Sequence, residues 1–295
     1  MTKVLVLGGT RFFGKKLVEK FIQEGADVTI LTRGKTDDDF GDAVSRLKAD
    51  RTDSEALKKA LGDASFDLVY DNICFGPQEA AAIIELLRGR VKKYIVTSSM
   101  SVYEVGGAPK DEGSFNPYSY PVSNPYPTDY DYGEGKRLVE AVTFQKGLIP
   151  SVAVRFPIVL GHDDYTHRLH FHIEHVQKGI PIGLPNPAAE MSFILSDEAA
   201  TFLYWLGQTD IEGPYNASST GAFTLSHILD LVEKAAGKPA VIEAKTEEAA
   251  NMSPFGVPDS WYMAVTKATK AGFTFSVLES WLPQLINEIA AGTKE

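Results

Sequence analysis

The first fourteen residues constrain the fold most. Lys3-Val4-Leu5-Val6-Leu7 reads as a short buried strand, and Gly8-Gly9-Thr10-Arg11-Phe12-Phe13-Gly14 follows at once. A helical pattern continues from it, with Phe13, Leu17 and Phe21 at one spacing and Val18 and Ile22 alongside. A strand, a glycine turn and a helix in this order bring the helix's N-terminal N–H groups to the turn, the local geometry that holds a pyrophosphate. The spacing is GxxxxxG, with Arg11 where a middle glycine usually stands. Its side chain has to swing outward to leave room for phosphate, and from there it can touch phosphate itself.

A second strand is expected over residues 27–32, ending in Thr32-Arg33-Gly34. In dinucleotide folds the end of this strand meets the adenosine ribose, where an acid suits the 2′-hydroxyl of NAD and an Arg suits the 2′-phosphate of NADP. Beyond the strand's end no acid occurs until Asp37, so Arg33 points to NADP ahead of NAD. A short strand (44–49), a helix (53–61), a strand (66–70), a helix (78–87) opened by Pro77, and a strand (94–97) running into Ser98-Ser99-Met100-Ser101-Val102-Tyr103 follow. This alternation predicts a parallel, doubly wound α/β sheet of the Rossmann type, with ligands beyond the carboxyl ends of its strands. Residues 8–14, Arg33, Asn72 and residues 98–101 all fall at that edge. Residues 106–129 hold five prolines and read as a long functional loop. A helix (132–145) and a strand (151–156) complete the pattern. The expected division is a dinucleotide-binding domain over 1–157 and, over 158–295, a smaller substrate lobe with some segments returning to the sheet. Within the lobe, 165–178, 197–206, 225–236 and 278–291 read as helices, 192–195 and 214–217 as short strands, and 244–260 as a mobile acidic loop.

With 295 residues, 44% of them hydrophobic, the chain can bury a full α/β core. A net charge of −10 and a pI near 5.2 argue against sequence-independent binding to phosphate backbones. One cysteine, Cys74, permits no internal disulfide and fits a reducing cytoplasm, the expected location. No run approaches 18 apolar residues, so no membrane span is expected. The oligomeric state is left open, a homodimer included.

The chemistry centres on Tyr132-Gly133-Glu134-Gly135-Lys136. Residues four apart share a helical face, so the phenol and the ammonium can point into one pocket. A cation about 5 Å from a phenol is worth roughly 3 kcal/mol at an effective dielectric near 20, enough to lower the Tyr pKa by about two units. That makes a proton donor and acceptor usable near neutral pH.

Together GGTRFFG, TSSMSVY, YGEGK, RFPIVLG and SFILSDEAA resemble the extended short-chain dehydrogenase/reductase family, the NAD(P)-dependent epimerases and dehydratases. GGTRF followed by ILTRGK is most similar to an atypical subgroup that includes the chloroplast stem-loop-binding proteins. The resemblance implies catalytic Ser99, Tyr132 and Lys136. Tyr132 would exchange the proton with a substrate hydroxyl or carbonyl, Ser99 would bond the same oxygen, and Lys136 would support Tyr132 and hold the nicotinamide ribose. Around the cofactor it implies Gly8, Thr10, Arg11, Phe12, Phe13, Gly14, Arg33, Asp50, Arg51, Asn72, Thr97, Phe156 and Pro157, with Asp50 meeting the adenine. Ser101, Tyr103, His167 and Arg168 are the expected substrate contacts.

Two departures bear on the substrate. Sugar-nucleotide enzymes of the family commonly carry Asn where this chain has Ile158, and Arg just before the later strand, where it has Met191-Ser192. Both missing groups would hold a nucleotide diphosphate, which argues against a conventional UDP- or GDP-sugar. Five of the six histidines lie between 162 and 175, but no cysteine joins them and no metal is expected. The expectation is an NAD(P)-dependent oxidoreductase, epimerase or dehydratase acting on a hydroxyl or carbonyl carbon, such as that of a sugar derivative. The alternative is a non-catalytic dinucleotide-fold protein that binds RNA or senses NADP(H).

Overall fold

A computed structural model describes residues 1–244, 246 and 248–292. The chain runs β1 (Lys3–Leu7), α1 (Phe12–Gln23), β2 (Asp27–Thr32), β3 (Val44–Lys48), α2 (Ser54–Leu61), β4 (Phe66–Asp71), α3 (Pro77–Leu87), β5 (Val91–Ser99), α4 (Tyr132–Lys146) and β6 (Ser151–Phe156). It continues through β7 (Ile158–Leu160), α5 (Arg168–Lys178), β8 (Ile182–Gly183), β9 (Glu190–Met191), β10 (Phe193–Leu195), α6 (Ser196–Gly207) and β11 (Gly213–Asn216). The last elements are β12 (Phe223–Thr224), α7 (Leu225–Ala236), β13 (Ile242–Glu243), α8 (Thr266–Lys270) and α9 (Leu278–Gly292). Two units divide them, one of residues 1–103, 112–156 and 199–217, the other of 104–111, 157–198 and 218 onward.

The first unit holds a seven-stranded sheet in the order β11-β6-β5-β4-β1-β2-β3, parallel throughout. This is the doubly wound Rossmann arrangement. The winding reverses between β1 and β4, which opens a crevice at their carboxyl ends. Sequence dictates each helix locally. Asp53 caps α2 by accepting from Glu55 and Ala56 N–H, and Pro77 starts α3 where its missing N–H costs nothing. Asp131 caps α4 by accepting from Glu134 N–H at 2.7 Å, and Gly147 ends that helix in the left-handed conformation at φ 57°. One buried cluster joins Leu5, Leu7, Val69 and Val96 of the sheet to Leu57, Ile83, Leu87, Val139 and Val142 of α2, α3 and α4. Elsewhere Phe21 of α1 packs on Tyr70 and Tyr204.

A buried ion pair joins α4 to β6. Arg155, fully buried, grips Glu140 with Nε at 2.9 Å and Nη2 at 2.6 Å, and Nη1 donates to Tyr103 Oη at 2.8 Å. Ser98 Oγ also donates to Glu140, and Tyr103 Oη donates to Asn216 Oδ1 of β11 at 2.7 Å. The long proline-rich loop is stapled down: Gln145 holds the carbonyls of Pro117 and Tyr120, Gln78 that of Pro127, and Tyr120 Oη donates to Glu134.

In the second unit α5, α7 and α9 pack through Leu169, Ile173, Val176, Ile228, Val232, Leu282 and Ile286, beside three two-stranded pairings. The expectation of a mobile loop over 244–260 is corrected from residue 248 on; Lys245 and Glu247 lie outside the described residues. Ser253 N–H bonds Gly183 O and its hydroxyl meets His172 Nε2 at 2.8 Å. Phe255, 1% exposed, stacks on the His172 ring at 4.3 Å. The acidic start of the segment masks the apolar anchors that follow it. Among the described residues no helix is long and apolar enough to cross a membrane.

Two outcomes follow from these buried groups. Arg155→Met leaves Glu140 buried without its cation, which is expected to cost about 3–5 kcal/mol and to lower the Tm by roughly 10 °C in thermal unfolding. An unchanged Tm would contradict the pair's role. His172 is fully inside, and burial pulls its pKa down from 6.5 to about 4, despite the backbone carbonyl of Arg168 on Nδ1. Because the unfolded chain then binds the proton more readily, stability is complete above about pH 6.5 and falls towards pH 4, by roughly 2–3 kcal/mol. Urea denaturation at pH 7 and pH 4.5 should show that loss in the parent and a smaller one in His172→Gln.

Candidate active site

The turn after β1 is built for close approach. A Cβ on Gly9 would stand 2.9 Å from Val18 and 3.1 Å from Val6, and one on Gly14 only 2.2 Å from Gly8 O. Neither position takes a side chain while α1 lies on the sheet. Arg11 is extended at φ −142° and exposed, so a side chain is tolerated where a middle glycine usually stands. Besides Gly8, the turn's left-handed residue is Phe12, at φ 52°, a conformation that costs a non-glycine residue about 1–2 kcal/mol. Burial offsets that cost: Phe12 is 8% exposed, and Phe13 packs on both Phe12 and Phe156 at 5.6 Å. The side chain of Arg11, the residue before α1, makes no cap bond to the helix. Across the crevice Asn72 N–H bonds Leu7 O, and its Oδ1 accepts from Thr97 Oγ1 at 2.8 Å. Its Nδ2 is buried without a partner, 3.3 Å from where a Gly14 Cβ would be. A helix start that Arg11 leaves uncapped, a cradle that a Cβ would fill and an orphaned donor beside it fit the pyrophosphate of a dinucleotide.

At the ends of β2 and β3, Arg33 is exposed, and the Lys48 stem would meet a Cβ placed on Gly34. Asp50 is exposed and accepts from the N–H and hydroxyl of Thr52. Those bonds, then the charges of Arg33 and Lys35, hold its carboxyl below the usual range. Arg51 departs from expectation as a cofactor contact. Its guanidinium is 7% exposed and turned inward, bonded to Asp71 with Glu79 at 3.2 Å, while Tyr94 Oη donates to Asp71. The ion pair commits it to the core.

The structure brings Tyr132, Lys136 and the Ser99 turn together. Tyr132 opens α4 and is 53% exposed, while Lys136, one turn on, is 1% exposed. Lys136 Nζ donates to Cys74 O at 2.7 Å and Thr97 O at 2.8 Å, and it stands 5.7 Å from the Tyr132 ring centroid. Ser99 Oγ accepts from Ser101 N–H and donates to Ser101 Oγ, both at 3.1 Å. That turn packs on the first turn of α4, where a Cβ on Gly133 would be 2.7 Å from Ser101 O. Half-buried Ser99 and Ser101 thus sit beside the base of Tyr132. Tyr103 is a second correction: it is 3% exposed, its hydroxyl is taken by Arg155 and Asn216, and burial pushes its phenol pKa up. It supports the site from inside and presents nothing to a substrate.

Pro157, His167 and Arg168 belong to the second unit. His167 precedes α5 in the left-handed region at φ 54°, its ring 4.8 Å from that of His170, and Arg168 begins the helix half-buried. Ser192, in the segment where sugar-nucleotide enzymes carry Arg, is buried, and its hydroxyl accepts from Met263 N–H at 2.9 Å. No group of three or more His, Cys, Asp or Glu among the described residues could hold a metal ion. Sequence reading missed Phe75, 50% exposed, with Lys136 Nζ 4.7 Å from its ring centroid. A lone Phe before Gly76-Pro77 has no periodicity to mark it; only its place just past a strand's carboxyl end could have drawn notice.

The family described as the NAD dependent epimerase/dehydratase family matches residues 4–74. The chain is 29% identical over 255 residues to the chloroplast stem-loop binding protein of 41 kDa b of Arabidopsis thaliana, a match covering 80% of this chain and 64% of that protein's length. Its fold is similar to that of the UDP-glucose 4-epimerase of Thermus thermophilus in complex with NAD, at TM-score 0.73 and 19% identity over 98% of this chain and 99% of the other. It is also similar to that of the dTDP-glucose 4,6-dehydratase of Bacillus anthracis str. Ames in complex with NAD, at TM-score 0.77 and 12% identity over 100% and 98%. The glycine turn, the switch-point crevice and the matched N-terminal segment agree: residues 4–74 are similar to the NAD dependent epimerase/dehydratase family, and the chain shares the Rossmann-type fold of the solved epimerases and dehydratases.

Proposed function

We propose that the chain is an NAD(P)-dependent enzyme of the epimerase/dehydratase or reductase type, acting on a hydroxyl-bearing or carbonyl carbon of a sugar derivative. The convergence of Tyr132, Lys136 and the Ser99 turn at the carboxyl edge of the sheet carries this reading. A bound nicotinamide would supply the hydride acceptor or donor. Tyr132, half-exposed at a helix start, gives or takes the proton of the substrate oxygen, and Ser99 Oγ bonds that oxygen and orients it. Lys136 holds a ribose hydroxyl and keeps positive charge beside the phenol. Gly8, Thr10, Phe13 and Gly14 seat the pyrophosphate, Asn72 and Thr97 brace the turn from β4 and β5, and Phe156 walls the nicotinamide end. Asp50 meets the adenine, and Arg33 with Lys35 beside it favours a 2′-phosphate, hence NADP over NAD. The buried Ser192 and the apolar Ile158 favour a substrate other than a conventional UDP- or GDP-sugar.

A second reading follows from the relative's name, which describes a stem-loop binding protein. The net charge of −10 opposes it, since stem-loop binding has to attract phosphates. A labelled stem-loop that bound with micromolar affinity, weakening steeply with salt, would move this reading to the front.

Titration with NADPH and NADH by fluorescence and thermal shift should give micromolar binding of NADPH and weaker binding of NADH. Arg33→Ala should remove most of that difference, and an unchanged ratio would dismiss Arg33 as the 2′-phosphate partner. Gly14→Ala should abolish binding of both, because its Cβ would collide with Gly8 O. Tyr132→Phe should cut turnover on an authentic substrate by a factor on the order of 100 or more while leaving cofactor affinity nearly unchanged. Parent-like rates in that variant would refute the catalytic assignment.

A further inference from the structure

An ammonium has three N–H bonds and no lone pair. Lys136 uses two inside the fold, on the carbonyls of Cys74 and Thr97. What remains lies against an aromatic face: Nζ is 4.7 Å from the Phe75 centroid, closer than the 5.7 Å to Tyr132. The ammonium is therefore saturated, with two carbonyls and one π-face, and is 1% exposed. Phe75 is firmly held at its backbone, while its ring lies at the surface beside that of Tyr132, 6.4 Å away. Its N–H donates to Glu79 Oε2 at 2.8 Å, and a Cβ on Gly135 would stand 2.6 Å from its carbonyl oxygen, while half of the side chain faces outward. The ring can turn aside without disturbing the core.

We infer that Phe75 competes with the ligand for Lys136. Its ring takes the third N–H by a cation–π contact and yields it when a ribose hydroxyl, a better acceptor, arrives. The inference rests on the proposed role of Lys136 as partner of the nicotinamide ribose. Phe75 is then a positioning residue: it keeps the ammonium beside Tyr132 and lowers the apparent affinity for the nicotinamide half of the cofactor, because the bound form has to displace it.

The test compares Phe75→Leu, which keeps apolar bulk without the quadrupole, with Phe75→Trp, which has a stronger one. Calorimetric titration should give NADPH and NADH binding about two- to five-fold tighter in Phe75→Leu and about as much weaker in Phe75→Trp. ADP and 2′,5′-ADP lack the nicotinamide ribose, so their affinities should be the same in all three proteins. Dinucleotide binding unchanged or weaker in Phe75→Leu, in a protein whose parent binds it, would overturn the inference alone. So would affinities for ADP and 2′,5′-ADP that shift in parallel with the dinucleotides, the mark of a structural effect. Failure of the parent to bind either dinucleotide would overturn the reading of Lys136 and this inference with it. Thermal melts of both variants should match the parent, since the ring is half outside.

Discussion

A single ammonium ties the site together. Lys136 Nζ joins the carbonyl of Cys74, after β4, to that of Thr97, in β5, and so clamps α4 to β5 and to the turn that leaves β4 at the crevice. A buried lysine is costly unless its donors are engaged, and here the fold engages them before any ligand arrives. Tyr132, one helical turn earlier, inherits its place from that clamp. The Asp131 cap and the contact between Gly133 and Ser101 then fix where the helix starts.

Behind the clamp lies a second buried charge. Arg155 and Glu140 satisfy one another in the interior, and the surplus donors and acceptors of the pair recruit Ser98, Tyr103 and the loop carbonyls of Glu112 and Phe115. The consequence is positional. Ser98 is held from within, so Ser99, the next residue along the strand, is turned to the edge. A polar network with its members engaged specifies geometry where apolar packing alone would tolerate sliding.

Much of this was legible in the sequence because it is local. Alternation of short apolar runs with helical periods gave the sheet and its helices, and the i,i+4 spacing placed Tyr132 and Lys136 on one face. What escaped depends on contacts far apart in the chain. Tyr103 follows Ser99 closely and looked like a pocket residue, yet its hydroxyl is claimed by Asn216, 113 residues later. Arg51, expected at the cofactor from the resemblance, is turned inward by Asp71 and Glu79, which lie 20 and more residues later. The segment after residue 244 is acidic at its start, and the anchors Ser253 and Phe255 depend on His172. The strained residue of the glycine turn proved to be Phe12, one place beyond Arg11, because burial of its ring offsets the backbone cost.

The most direct test is a crystal structure of the protein with NADPH bound. The account predicts the pyrophosphate on the start of α1 against residues 8–14, and the nicotinamide ribose within hydrogen-bond distance of both Tyr132 Oη and Lys136 Nζ. A dinucleotide seated elsewhere, or with its nicotinamide end turned away from Tyr132, would contradict the claim that the Lys136 clamp builds a redox site.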